Sequence, residues 1–341
     1  MSRRPPLLAA VKRDDVAGVR ALLATPNVDP NARSTPRGKT PLIAAVMRDN
    51  YETCRDLLCA GANVEAPYRD GMRALHIAAL RDRSAIMRLL IKHGASTAAR
   101  AENGVTALHI AVVAGSTDAL AALLDAGVDV RTADARTADE TPILHAALRR
   151  CKKANGGAAL GVVAMLVRAG APLDSRDSSD YTPAHIAAGV GSVAAIDILA
   201  RAGAPLTLKQ HEHLTPLMLA AARGKAGAVR ALARLAPESI NEHMVKEHDT
   251  GTALHAAVLL GEVDTVAELL ACPGIDVDAP SAGGTALAKT SNPTIRAMLL
   301  SAGAAPCRGP EPPTTRADDT RTDAQLAFLL SMMQTRLAED R

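Results

Sequence analysis

The sequence predicts an all-α repeat solenoid, a stack of short helix–turn–helix units. Three observations carry that prediction. A six-residue pattern opening on Thr returns about every 33 residues. A glycine stands 21 residues after the Thr in units such as Thr40–Gly61, Thr106–Gly127 and Thr182–Gly203. Aromatic residues are nearly absent, with Trp 0, Phe 1 and Tyr 3 in 341 residues against 70 alanines. An ordinary globular core uses many more rings, because each buries so much surface. A core of Ala, Leu and Val instead suits thin helices packed closely and repeatedly.

The repeated pattern runs Thr40-Pro41-Leu42-Ile43-Ala44-Ala45, Arg73-Ala74-Leu75-His76-Ile77-Ala78 and Thr106-Ala107-Leu108-His109-Ile110-Ala111. It continues as Thr141-Pro142-Ile143-Leu144-His145-Ala146, Thr182-Pro183-Ala184-His185-Ile186-Ala187 and Thr215-Pro216-Leu217-Met218-Leu219-Ala220. It ends with Thr252-Ala253-Leu254-His255-Ala256-Ala257 and Thr285-Ala286-Leu287-Ala288. The steps between first positions are 33, 33, 35, 41, 33, 37 and 33, and Pro5-Pro6-Leu7-Leu8-Ala9-Ala10 lies 35 residues ahead of the first, making nine units. Gly61, Gly94, Gly127, Gly170 and Gly203 form the second landmark, each after a Leu-Leu-like pair.

Each unit can be justified element by element. Thr caps a first helix by accepting from an early backbone N–H. Pro next to it has its φ preset and lacks an N–H that would find no partner there. That helix ends near a glycine such as Gly115 or Gly191. A second helix carries apolar residues three and four apart, as in Ile86, Leu89 and Leu90, and the landmark glycine closes it in the left-handed conformation. The stretch to the next Thr is extended, with turn pairs such as Asp70-Gly71 and Asn103-Gly104.

This unit resembles the ankyrin repeat, a 33-residue unit bearing Thr-Pro-Leu-His-x-Ala. The resemblance covers residues 5–305. It implies antiparallel helix pairs with projecting β-hairpin loops, in which stacking supplies the core that one unit lacks. It also implies that His76, His109, His185 and His255 hydrogen-bond within the repeat frame. Residues 1–305 are expected to form one array, with an N-terminal cap at 5–34, repeats over 35–280 and a C-terminal cap at 281–305. Residues 306–322, rich in Pro, Thr, Asp and Arg, suit a flexible linker. Asp323 could cap an amphipathic helix within 323–341, with Leu326, Leu329, Leu330, Met333 and Leu337 on one face. That helix either folds back on the last repeat or docks a partner.

Two departures interrupt the array. The fifth unit holds eight extra residues around Arg149-Arg150-Cys151-Lys152-Lys153, a basic run. The seventh replaces its glycine turn by Ala236-Pro237-Glu238 and lengthens the next hairpin.

Charge excludes little. Lys+Arg is 39 and Asp+Glu 36, a net +3 spread along the chain, so bulk charge argues weakly for nucleic acid. No long uncharged apolar stretch marks a membrane span, and no apolar region follows Arg3-Arg4, so no secretory signal is expected. Five scattered cysteines without a CxxC suit reduced thiols in the cytoplasm or nucleus.

Catalytic and metal signatures are weak. Gly189-Val190-Gly191-Ser192-Val193-Ala194 fits GxGxxA in form, yet it follows a helix rather than a strand. His213 with His243 or His248 could meet across neighbouring hairpins as zinc ligands, but no local spacing matches a metal motif. No cofactor is expected, and only about 35 residues outside the repeats leave no room for a catalytic domain.

The resemblance places partners along the first helix, near the eighth residue after the Thr position, and on hairpin tips. That eighth residue is Arg48, Arg81, Ala114, Arg149, Val190, Arg223 and Leu260, with Arg150 and Lys225 alongside; Arg37, Lys39 and Arg69 stand in hairpins. The expectation is a monomeric, non-catalytic scaffold or adaptor. It would bind a protein with an acidic surface through arginine forks. Nucleic-acid or polyanion binding through the same strip is the second reading, and the lack of aromatics for base stacking weighs against it. Docking of a ubiquitin ligase through the C-terminal helix is the third.

Overall fold

The computed structural model describes residues 6–33, 38–131, 141–152, 157–211, 213–244, 251–281 and 284–306. The expected C-terminal helix, most of the linker and the run Lys153–Gly156 lie outside these residues. Chain contacts divide the protein into two compact units. One is Met1–Arg150 with Asn155–Pro172; the other is Cys151–Ala154 with Leu173–Arg341.

In the first unit the helices pair in sequence. They are α1 (Pro6–Lys12) with α2 (Val16–Leu23), α3 (Pro41–Arg48) with α4 (Tyr51–Cys59), and α5 (Ala74–Leu80) with α6 (Ser84–Lys92). Next come α7 (Ala107–Ala114) with α8 (Thr117–Asp125), and α9 (Ile143–Arg149) with α10 (Gly157–Arg168). First helices stack on first helices and second on second, giving two layers. The other unit repeats the plan. It holds α11 (Pro183–Val190) with α12 (Val193–Arg201), α13 (Pro216–Ala222) with α14 (Ala226–Leu235), and α15 (Ala253–Leu259) with α16 (Val263–Leu270). A 3-10 turn, Ala286–Lys289, and α17 (Pro293–Ser301) close it. Asn292 caps α17, accepting from Thr294 N at 2.9 Å, so Asn292-Pro293 starts that helix.

Small residues let the first-helix layer close up. Ala45, Ala78, Ala79, Ala111, Ala187, Ala188, Ala220, Ala221 and Ala257 are all fully buried. The seam between layers is leucine and isoleucine, such as Leu57, Ile86, Leu90, Leu120 and Leu123, each contributing roughly 1.5–3 kcal/mol by burial.

The cap residues act as their chemistry requires. Thr40 Oγ1 accepts from Ile43 N at 3.2 Å and Thr215 Oγ1 from Met218 N at 3.3 Å. Where His stands three residues on, its Nδ1 accepts from the cap backbone: from Arg73 N at 3.1 Å, Thr182 N at 3.3 Å and Thr252 N at 3.2 Å. That leaves Nε2–H to donate onward, from His76 to Ala99 O at 3.0 Å and from His185 to Leu214 O at 2.9 Å. His76 and His185 thereby tie their helices to the following hairpins. At the other helix end Gly61, at φ +85°, lets Ala62 N reach back to Leu57 O at 3.0 Å.

The projecting hairpins are tighter than extended ribbons. No β-strand forms among the described residues. The loops close through backbone bonds from Tyr68 N to Met72 O, Ala101 N to Val105 O, Asp177 N to Tyr181 O and Gln210 N to Leu214 O, each around a turn bond such as Gly104 N to Ala101 O.

Candidate protein-binding surface

The first helices end in tight turns, and those turns present the arginines. Arg48 is the last residue of α3 and Arg81 caps the C-terminus of α5. Both are exposed, and neither has a hydrogen-bond or ion-pair partner among the described residues. Their neighbours are already engaged. Asp49 pairs with Arg83 at 3.0 Å, and Asp82 accepts from Ala119 N at 2.7 Å. The arginines therefore stay unneutralised although carboxylates stand next to them in sequence.

Repeat register corrects one assignment. α9 begins at Ile143 with Pro142, not Thr141, in the cap position, and His145 stands three residues on like His76 and His109. The burial pattern agrees. Ala147 and Leu148 are fully buried, Arg149 is half-buried and Arg150 is exposed. Arg150, rather than Arg149, is thus the counterpart of Arg81, and Arg149 matches Leu80 and Val113. The reason is local: one residue of the longer fifth unit is taken up ahead of the helix. Arg150 folds back, donating to Ala114 O at 3.3 Å beside Gly115.

The remaining predicted residues spread out. Lys39 is half-buried ahead of the Thr40 cap. Arg69 is exposed in a 3-10 turn, its guanidinium 5.7 Å from the centre of the Tyr68 ring. Arg37 lies outside the described residues. Arg223, in the second unit, is half-buried and lies against Gly189; a Cβ there would stand 2.5 Å from its Nη1.

Two residues that sequence reasoning missed complete the surface. Leu80 and Val113 are 53% and 51% exposed, the most open of the large apolar side chains among the described residues. Each immediately precedes a member of the predicted strip, Arg81 or Ala114. A large apolar residue at the last exposed position of a short helix was the available signal.

No group of three His, Cys, Asp or Glu converges among the described residues. His211 Nε2 lies 3.6 Å from Asp180, which already binds Arg176 at 2.6 Å. His248 lies outside the described residues. No helix among them is long and apolar enough to cross a membrane.

A family model for ankyrin repeats matches residues 47–134 and 202–281. This chain is an ankyrin-repeat protein. The fold is similar to the ankyrin repeat domain of Bcl-3, described as a unique member of the IkappaB protein family, at 28% identity and TM-score 0.57. That match covers 67% of this chain and 97% of that one. An ankyrin repeat domain from Acinetobacter baumannii AYE matches at 26% identity and TM-score 0.54, over 60% of this chain and all of that one. The human ASB11 ankyrin repeat domain shares the fold at 24% identity and TM-score 0.55, over 68% of this chain and 99% of that one. No curated protein matches the chain by sequence. Ankyrin-repeat domains are in general protein-interaction modules without a reaction of their own.

Proposed function

We propose that this ankyrin-repeat protein is a non-catalytic adaptor that binds a protein partner on the first-helix face of its first unit. The observation that carries this reading is the juxtaposition of two unneutralised, exposed arginines, Arg48 and Arg81, with exposed Leu80 and Val113. Arginine is among the usual energetic anchors of interfaces, and exposed apolar side chains beside it add surface that a partner can remove from water. A partner presenting carboxylates would satisfy the guanidiniums and gain rate and register from the charge match. Cys54, Cys59 and Cys272 carry free thiols, which supports a reducing compartment, the cytoplasm or nucleus.

The test is quantitative retention of proteins from the source cell's lysate by the full chain, by Arg48→Glu/Arg81→Glu and by Arg223→Glu. A protein retained by the parent and Arg223→Glu, and lost roughly tenfold or more by the double reversal, supports the reading. The double variant should stay folded and melt only slightly lower, since neither arginine has an ion-pair partner to lose among the described residues and each Glu stands at a helix C-terminus. Retention that ignores Arg48 and Arg81 overturns it. Nucleic acid retained in place of protein, falling steeply and log-linearly with salt, would replace it by the polyanion reading.

A further inference from the structure

We propose that the partner segment seated on this face is an amphipathic α-helix carrying acidic residues seven apart; the inference rests on the adaptor reading above. The surface is built as two parallel rows. One row is apolar, with Met47 half-buried and Leu80 and Val113 half exposed. The other is cationic, with Arg48 and Arg81. The apolar row advances by one residue per repeat over the stacked helices α3, α5 and α7, and the cationic row over α3 and α5, where Ala114 stands at the next equivalent place.

Stacked helices lie about 8–10 Å apart. Seven residues of an α-helix rise about 10.5 Å. A helix laid along the stack therefore presents its heptad-spaced side chains in step with the rows. Apolar residues seven apart would cover Leu80 and Val113. Glu or Asp seven apart, offset by three or four positions on the same face, would meet Arg48 and Arg81.

An extended segment could match the repeat at about three residues per step, since a strand rises about 3.3 Å per residue. Its backbone, however, would find nothing to pair with. The turns that carry the arginines satisfy their own groups, Asp49 N donating to Val46 O and Asp82 N to Ala79 O. No strand edge exists among the described residues. A strand laid on this face would surrender water at its N–H and C=O groups without replacement, a cost of roughly 1–3 kcal/mol for each group left unmade. A helix arrives with those bonds already closed. The charge match selects an acidic flank, and the exposed apolar pair selects an apolar stripe beside it.

The test uses two synthetic peptides of about 21 residues and equal net charge, six turns if helical, titrated against the full chain by fluorescence polarisation. One places Glu and Leu in heptad register. The other places them every third residue, with prolines that forbid a helix. The heptad peptide should bind roughly tenfold tighter or more, a difference worth about 1.4 kcal/mol. Its binding should fall roughly tenfold in Arg48→Glu/Arg81→Glu, fall about fivefold in Leu80→Ala, and stay unchanged in Arg223→Glu. Equal or tighter binding by the proline peptide overturns the helix. If that binding still needs Arg48 and Arg81, the adaptor surface stands without it. No binding of the heptad peptide at millimolar concentration also overturns the helix, whatever the lysate shows. The surface reading itself falls only if neither a peptide nor a lysate protein responds to Arg48 and Arg81.

Discussion

Two groups of turns solve the same problem, joining one repeat to the next, in opposite directions; the last turn of the first unit, Gly115 beneath Arg150, already follows the second group. In the first unit three turns carry aspartate at positive φ: Asp14 at 62°, Asp49 at 60° and Asp82 at 55°. Each carboxylate reaches forward to the start of the next repeat's second helix. Asp14 accepts from Nδ2 of Asn50, the α4 cap, at 2.6 Å; Asp49 pairs with Arg83, at the α6 cap position. Asp82 accepts directly from Ala119 N, the third residue of α8, whose own Ser116 makes no side-chain cap. In the second unit the corresponding turns carry Gly191 and Gly224. There the cap residue of the following helix reaches backward. The Lys225 stem lies over Gly191 and the Glu262 carboxylate over Gly224. Leu259 and Leu260 pack onto Ala222 and Ala256, and Arg223 lies on Gly189.

The difference teaches where a free surface comes from. Forward-reaching aspartates are spent on the next helix, so Arg48 and Arg81 keep their charge unneutralised. In the second unit backward-folded side chains cover the turns at Gly191 and Gly224. The same repeat frame thus gives one open face and one closed one.

Acid should loosen the repeat around His185 more than the repeat around His76, and this is the largest effect expected. Burial pushes His185 down to about 4, against the Leu214 carbonyl that favours its charged form; His76 is lowered too, chiefly by burial. With the folded value below the ordinary 6.5 or so, the unfolded chain takes up its proton first. The stability is therefore complete above about pH 6.5 and is lost as pH falls from there to about 4, by up to about 3 kcal/mol from His185 alone. Hydrogen exchange at pH 7.5 and pH 5 should show protection falling most over 183–222. Equal loss over 74–114 would break the comparison.

Much of this was legible in the sequence, and the limit has a physical cause. Thr caps, left-handed glycines and the Ala-rich face are local signals, and the helix pairs follow from them. The fifth unit slipped by one residue because Thr141-Pro142 looks like a cap pair, while His145, at the third helical position, sets the register. Exposure at the turns is a non-local property. Whether an arginine stays open depends on a residue one repeat away, as Arg223 depends on Gly189, and no spacing rule within a single repeat reports it. Leu80 and Val113 were different: their place at the end of a short helix was a signal within one repeat, left unused.

A middle-sized effect tests the forward reach. Asp82→Ala removes the acceptor for Ala119 N and places a Cβ-bearing residue with no local hydrogen bond at φ 55°. The expected cost is about 1–2 kcal/mol, as for a lost helix cap. Asp82→Gly keeps the left-handed turn and loses only the acceptor, so it should cost less than Asp82→Ala. Urea denaturation would rank them, with faster amide exchange over 117–125 in both. No change in that helix would mean that Asp82 does not cap it.

The smallest effect separates the two kinds of aspartate. Asp49 contributes a charge to Arg83, with 46% and 38% of the two side chains exposed. An exposed pair of this kind is worth about 0–1 kcal/mol. Asn adopts the left-handed turn as readily as Asp, so Asp49→Asn removes the charge and leaves the backbone content. The melt should therefore move by less than about 0.5 kcal/mol, close to the limit of measurement. Binding is the more telling readout. Asp49→Asn takes a negative charge from beside Arg48, so an acidic partner should bind slightly faster and at least as tightly. A clear loss of binding would mean that Asp49 itself touches the partner. The forward-reaching aspartates would then belong to the interface as well as to the scaffold.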